Sequence, residues 1–169
     1  MMHMADAAQL SDIHEIQQVL LLYPVALDSR ALELLEQVFV PDARIDIPGV
    51  GVVDLAGYQA ACRAGLGSLD ATHHVVNAPL LRVDGDVAHA RSYLVAQHVC
   101  NAAAPEASLL IGAWYNDELR RTPAGWRITA RSGNAVWWSG NPAILGMTGL
   151  PQAFPRLVGH GAPAWALPH

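Results

Sequence analysis

The sequence predicts an α+β domain in which about three N-terminal helices pack on one face of a curved antiparallel sheet. Three observations predict it. Apolar residues recur at helical spacing as far as about residue 66, and from residue 72 the repeat becomes strand-like. The second half then divides at Asp84-Gly85, a strong hairpin signal, and again at Thr122-Pro123-Ala124-Gly125. The 169 residues suffice for one domain with a substantial core.

Residues 1–10 are expected to be a flexible N-terminus. The first helix should begin at Asp12, with Glu15 completing a capping box, and carry Ile13, Ile16, Leu20, Tyr23 and Leu27 on one stripe. Pro24 should kink it near its end, where Asp28 lies. A short second helix is predicted from Ala31 to Phe39, with Leu32, Leu35 and Phe39 facing inward, and Pro41-Asp42 stops it. Ala43 to Ile47 reads as a strand, Pro48-Gly49 as a turn and Val50 to Val53 as the return. Asp54 caps a third helix through Tyr58 and Cys62 to about Leu66, where Gly65 and Gly67 end it. Residues 72–83 and 86–100 form one hairpin, and 107–121 and 126–139 a second. Residues 11–140 thus make up the domain. The remainder, 141–169, is rich in Pro and Gly yet carries Ile144, Leu145, Leu150, Phe154, Leu157 and Trp165. It is expected to drape over the domain, cover a pocket mouth or reach a neighbouring subunit.

Composition removes several functions. The formal charge is −5 with no basic cluster, which argues against nucleic acid and anionic membranes. No apolar stretch is long enough, free of charges, Gly and Pro, to cross a bilayer. All ten basic residues are Arg, so lysine Schiff-base chemistry and a phosphate-loop lysine are excluded. No dinucleotide fingerprint or zinc-type spacing occurs, so neither an organic cofactor nor a metal is implied. Two cysteines give no disulfide framework and the opening residues lack a secretory signal pattern, so a soluble cytoplasmic protein is expected.

What remains is a set of polar residues in apolar sequence: Asp28, Thr72-His73-His74 and His98. A carboxylate and imidazoles against apolar walls suit general acid/base work, because imidazole exchanges protons near neutrality. His73 and His74 point to opposite faces of their strand, so only one can enter a cavity, and His74 is preferred. A regular two-residue loop at Asp84-Gly85 would put His74 opposite Val95 and His98 on the other face. A bulge or longer loop reverses that parity, so a cavity position for His98 requires an irregular hairpin. Asp28 has an ordinary alternative, a helix-end carboxylate paired with Arg30. Tyr23 has one too, as a core residue. Trp114, Trp126, Trp137 and Trp138 read as core or interface first, with Trp114 a candidate substrate platform. Arg131 either holds an acidic substrate group or neutralises a core carboxylate such as Asp46.

The order of elements, with the phrases LLYPVALDSR, VFVPDARIDIPG, ATHHVV, VDGDVAHARSYLVAQH and GWRITAR, resembles the SnoaL-like branch of the nuclear transport factor two-like superfamily over roughly residues 10–140. That resemblance implies a cone of curved sheet closed by helices around an apolar cavity. Fold alone decides little there, since the superfamily hosts many functions. At the level of site residues the chain looks most like scytalone dehydratase and hexachlorocyclohexane dehydrochlorinase, which both eliminate across a carbon–carbon bond. Their histidine base and orienting aspartate fall on His74 and Asp28. A second pocket histidine of the dehydratase matches His98, and its RID phrase is repeated as Arg44-Ile45-Asp46. Where the dehydratase carries a tyrosine after that phrase this chain has Ile47, and its Ser and Asn pocket positions fall on Ala113 and Tyr115. Scytalone itself is therefore not the expected substrate. Tyr23 and Tyr115 are candidates to replace the lost phenolic donor, and acidic residues equivalent to those of ketosteroid isomerase are not found.

The expected function is a cofactor-independent lyase, a dehydratase or related elimination enzyme, with isomerisation or retro-aldol cleavage as variants. The expected catalytic residues are His74, Asp28, His98 and Tyr23, and the expected substrate contacts are Tyr115, Arg131, Ile47 and Trp114. The expected partner is a small apolar, cyclic or aromatic molecule bound by a homodimer or homotrimer. Two rivals belong to other classes: a non-catalytic small subunit like those of ring-hydroxylating dioxygenases, and a carrier in which Asp28 and His74 do not meet.

Overall fold

The computed structural model describes residues 6–103 and 106–147. Helix α1 (Ala7–Asp28) is followed by a short 3-10 helix (Leu32–Gln37), strands β1 (Phe39–Ile47) and β2 (Gly51–Val53), and helix α2 (Leu55–Leu66). Strands β3 (Ala71–Val76), β4 (Leu80–Asp84), β5 (Val87–Val99), β6 (Ser108–Thr122) and β7 (Gly125–Gly140) come next, then a 3-10 turn (Pro142–Leu145). All seven strands join one sheet, in the order β2-β1-β7-β6-β5-β3 with β4 also on β5. The sheet is open and curved, and the helices fill its concave side. Ile16, Leu20, Leu35, Phe39, Ile45, Leu119, Trp126 and Ile128 form the centre of the core there. Among the described residues no helix is long and apolar enough to cross a membrane.

Several expectations need correction. Helix α1 starts five residues earlier than Asp12: Asp6 is its cap, accepting from the Gln9 backbone in a capping box, so residues 7–10 are helical. Asp12 and Glu15 instead tie the helix to the sheet. Asp12 accepts both Arg121 Nη atoms at 2.7 Å and the Trp126 indole N–H at 3.2 Å, and Glu15 accepts the Trp126 backbone N–H at 2.9 Å. Side chains with such partners are not available as caps. Helix α1 continues through Pro24 to Asp28, its expected end. The second helix is a 3-10 segment that stops at Gln37, because Phe39 already opens β1. Strand β1 runs parallel to β7, so the sheet is mixed rather than wholly antiparallel. A break in register between Phe39 and Arg44 absorbs Pro41, which has no N–H to give to a ladder.

The β3–β5 region decides the site. The turn is at Gly85-Asp86, with Asp84 opposite Val87, and β4 pairs regularly from there to Leu80 opposite Arg91. Beyond it, residues 77–79 contribute one residue too many, and β3 resumes with Val76 opposite Leu94, His74 opposite Ala96 and Thr72 opposite His98. That irregularity places Thr72, His74, Ala96 and His98 on the same concave face. Of the apolar extension foreseen after Asn141, residues 148–169 lie outside the described residues.

Candidate active site

Between the helices and the concave face lies a cavity of about 490 Å³. Its wall is mostly apolar: Leu27 from α1, Ile47 from β1, Cys62 and Leu66 from α2, Leu94 and Ala96 from β5, and Ile111 and Ala113 from β6, with Leu145 and Met147 at the rim. Two polar groupings interrupt it. One is His74 with His98, and the other is a set of tyrosines, Tyr23, Tyr58 and Tyr115.

Asp28, the last residue of α1, meets β3 side-on. Its Oδ1 lies 2.7 Å from His74 Nδ1, and its Oδ2 accepts the His74 backbone N–H at 2.8 Å. The Thr72 hydroxyl donates to Oδ1 at 2.9 Å. Arg30, held at a positive φ of 61° just beyond the helix, donates to the Leu27 carbonyl and to Thr72 Oγ1, both at 2.7 Å. The surface pairing of Arg30 with Asp28 is thus replaced by a chain, Arg30 to Thr72 to Asp28 to His74. The His74 side chain is only 6% exposed, Asp28 24%. Burial alone would raise the Asp28 carboxyl, but the hydrogen bonds from His74 and Thr72 outweigh it and hold the group below its usual range. An ionised Asp28 at Nδ1 fixes the proton there and leaves Nε2 as the basic nitrogen for a molecule in the cavity.

His98 stands edge-on to His74, ring centroids 5.4 Å apart. Burial, and secondarily the nearby His74, push its pKa down to about 4, so it is neutral at pH 7. Its Nδ1 has no hydrogen-bond partner among the described residues.

Tyr23 Oη is hydrogen-bonded to Tyr58 Oη and lies 3.3 Å from Tyr115 Oη. Burial raises all three phenols well above the ordinary tyrosine value. Tyr23 and Tyr115 are among the expected site residues, whereas Tyr58 is expected only on the stripe of the third helix. The available signal was its place on α2 one turn before Cys62, facing the same cavity. Thr72 and Arg30 were likewise missed as groups that orient Asp28.

Two expected substrate contacts are corrected. Trp114 lies between Ala113 and Tyr115, which both face the cavity, so strand alternation turns it to the convex face. There it packs edge-on to Tyr93 with Arg91 over its ring at 5.2 Å. Arg131 faces inward but lies beneath the tyrosines, 2% exposed, in a bidentate pair with Asp117 (2.7 and 2.8 Å). It neutralises Asp117, not Asp46, and does not line the cavity. Ile47 does line it. Among the described residues no group of three or more His, Cys, Asp or Glu could hold a metal ion.

The family model for the SnoaL-like domain matches residues 8–132. The chain belongs to the SnoaL-like family. An uncharacterized protein of Mycobacterium tuberculosis strain H37Rv is 36% identical to this SnoaL-like chain over 130 residues, 76% of this chain and 88% of the relative. Among solved structures, a candidate scytalone dehydratase of Novosphingobium aromaticivorans superposes with a TM-score of 0.71 at 19% identity, covering 90% of this chain and 97% of its own. The hexachlorocyclohexane dehydrochlorinase of Novosphingobium barchaimii does so with a TM-score of 0.63 at 18% identity, covering 85% and 93%. At those identities the likeness is one of fold.

Proposed function

We propose that this SnoaL-like protein is a small-molecule lyase or isomerase, and more narrowly that it catalyses a cofactor-independent elimination on a small cyclic or aromatic substrate. The observation that carries the proposal is the 2.7 Å contact between Asp28 and His74 inside an apolar cavity. A carrier has no need of an oriented imidazole, and a purely structural histidine would not present its second nitrogen to a hollow. His74 Nε2 removes a proton from carbon next to an electron-withdrawing group, and the C–H electrons form the new double bond as the leaving group departs with its own bonding pair. Asp28 stabilises the imidazolium formed. A hydroxyl of the tyrosine cluster donates to the oxygen on which negative charge develops. His98, neutral at this pH, orients the substrate by hydrogen bonding and is not the acid. The proton on His74 returns to a departing hydroxide, which leaves as water. The dehydratase and dehydrochlorinase with the same fold run eliminations by name, which supports this choice among reaction types.

The test is turnover of a panel of hydroxylated cyclic ketones and aromatics, followed by the absorbance of the conjugated product. His74→Ala should lower kcat by about 10²- to 10⁴-fold, the usual contribution of a positioned base. Asp28→Asn should lower kcat with little change in KM. Rates unaltered in both variants would remove the site.

A further inference from the structure

Beneath the tyrosines lies a buried cation that the elimination scheme does not use. The Arg131 guanidinium carbon is 4.2 Å from the ring centroids of both Tyr23 and Tyr115 and 5.4 Å from that of Phe39. Nε and Nη2 are satisfied by Asp117, while Nη1 is buried with no hydrogen-bond partner among the described residues. The pair therefore presents its positive end to the aromatic faces. Among the described residues, the ionisable groups that act on it are Tyr23 from α1, Tyr58 from α2, and Tyr115 and Asp117 from β6, while Arg44, His89 and Glu118 line a smaller pocket together with the pair. The three phenols own three O–H donors, and the two contacts among them use two. One donor remains for the cavity that all three line.

We infer that Tyr23, Tyr58 and Tyr115, backed by the buried Arg131, form a binding site for an anionic oxygen of phenolate or enolate type, with Arg131 as a positioning residue that acts through the rings. A cation against the rings of Tyr23 and Tyr115 makes their hydroxyls stronger donors and so favours a negatively charged acceptor over a neutral one. This deepens the elimination proposal by naming the substrate class, a carbonyl or phenolic compound. It does not require the dyad to be catalytic.

The probe is 4-nitrophenol, whose ionised form is coloured, compared with nitrobenzene, which has the same ring and no ionisable oxygen. Wild-type protein should bind the phenolate in preference to nitrobenzene and keep bound 4-nitrophenol ionised at a lower pH than in water. In Arg131→Met/Asp117→Asn, which leaves the formal charge of the protein unchanged, that preference should fall by roughly tenfold, the equivalent of one pKa unit on the ligand. Arg131→Lys should retain most of it. His74→Ala should leave it in place, so loss of turnover and loss of anion preference are separate results. The inference is overturned if wild type shows no preference for the phenolate. It is equally overturned if the preference survives in the double variant or disappears in His74→Ala.

Discussion

At the scale of single residues, the site separates two histidines by environment. His74 has a carboxylate on one nitrogen, whereas His98 is enclosed without one, and its pKa is pushed down to about 4 by burial and by its neighbour. An unfolded chain would protonate His98 near its ordinary value of 6.5, so between 6.5 and 4 the unfolded state takes up a proton that the folded state refuses. The stability this residue allows is therefore fully present above pH 6.5 and is lost as pH falls toward 4, to a limit of roughly 3 kcal/mol. Urea unfolding of wild type at pH 7 and pH 4.5 should show that loss, and His98→Phe should flatten it across the window. Asp28 is shifted in the same direction as His98 and adds to the same slope. Its depressed carboxyl stabilises the fold above the ordinary carboxylate range, and that contribution disappears as pH falls through its folded value. Asp28→Asn should abolish this lower step and leave the His98 step in place, somewhat deeper because the carboxylate that raises the imidazole is gone.

At the scale of elements, helix α2 is positioned by the residue that caps it. The Asp54 carboxylate accepts the Gly57 N–H at 2.8 Å, and the helix it starts carries Tyr58 and Cys62 to the cavity wall. Asp54→Ala should cost about 1 kcal/mol in denaturant unfolding, the usual loss of a cap. It should also weaken nitrophenolate binding more than Val52→Ala, since Val52 is exposed on β2. Capping residue, stripe and glycine stop were all local for this helix, and its limits were legible from the sequence. The start of α1 was not legible, because Asp12 and Asp6 both satisfy the local rule. Only the distant Arg121 and Trp126 decide which is the cap. The same division runs through the site. Alternation along a strand distinguishes His74 from His73, and it should have set Trp114 apart from Tyr115 as well. Whether His98 faces inward depends on one surplus residue at 77–79, whose existence the strand pattern allows but does not demand. Asp117 as the partner of Arg131 was invisible for a simpler reason, since β6–β7 register across a bulge determines it.

At the scale of the whole molecule, apolar packing and a buried ion pair hold the same place. Arg131 and Asp117 face each other on β7 and β6 under the aromatic rings of α1 and β1, where sheet and helices converge below the cavity. Removing two charges from water is costly, and close bidentate geometry offsets much of that cost without making the pair a large net source of stability. The two partners are therefore unequal to their sum. Arg131→Met alone leaves the Asp117 carboxylate buried without its cation, and should destabilise the protein by about 3–5 kcal/mol in denaturant unfolding. Adding Asp117→Asn removes the stranded charge and leaves only an unsatisfied amide, whose cost is about 1–3 kcal/mol, so the double variant should be the more stable of the two. A second substitution that restores stability while anion preference stays low would show the pair serving the cavity electrostatically rather than the fold. If the double variant is instead no more stable than Arg131→Met, the buried carboxylate has found another partner, and the cation is then needed for packing against the rings.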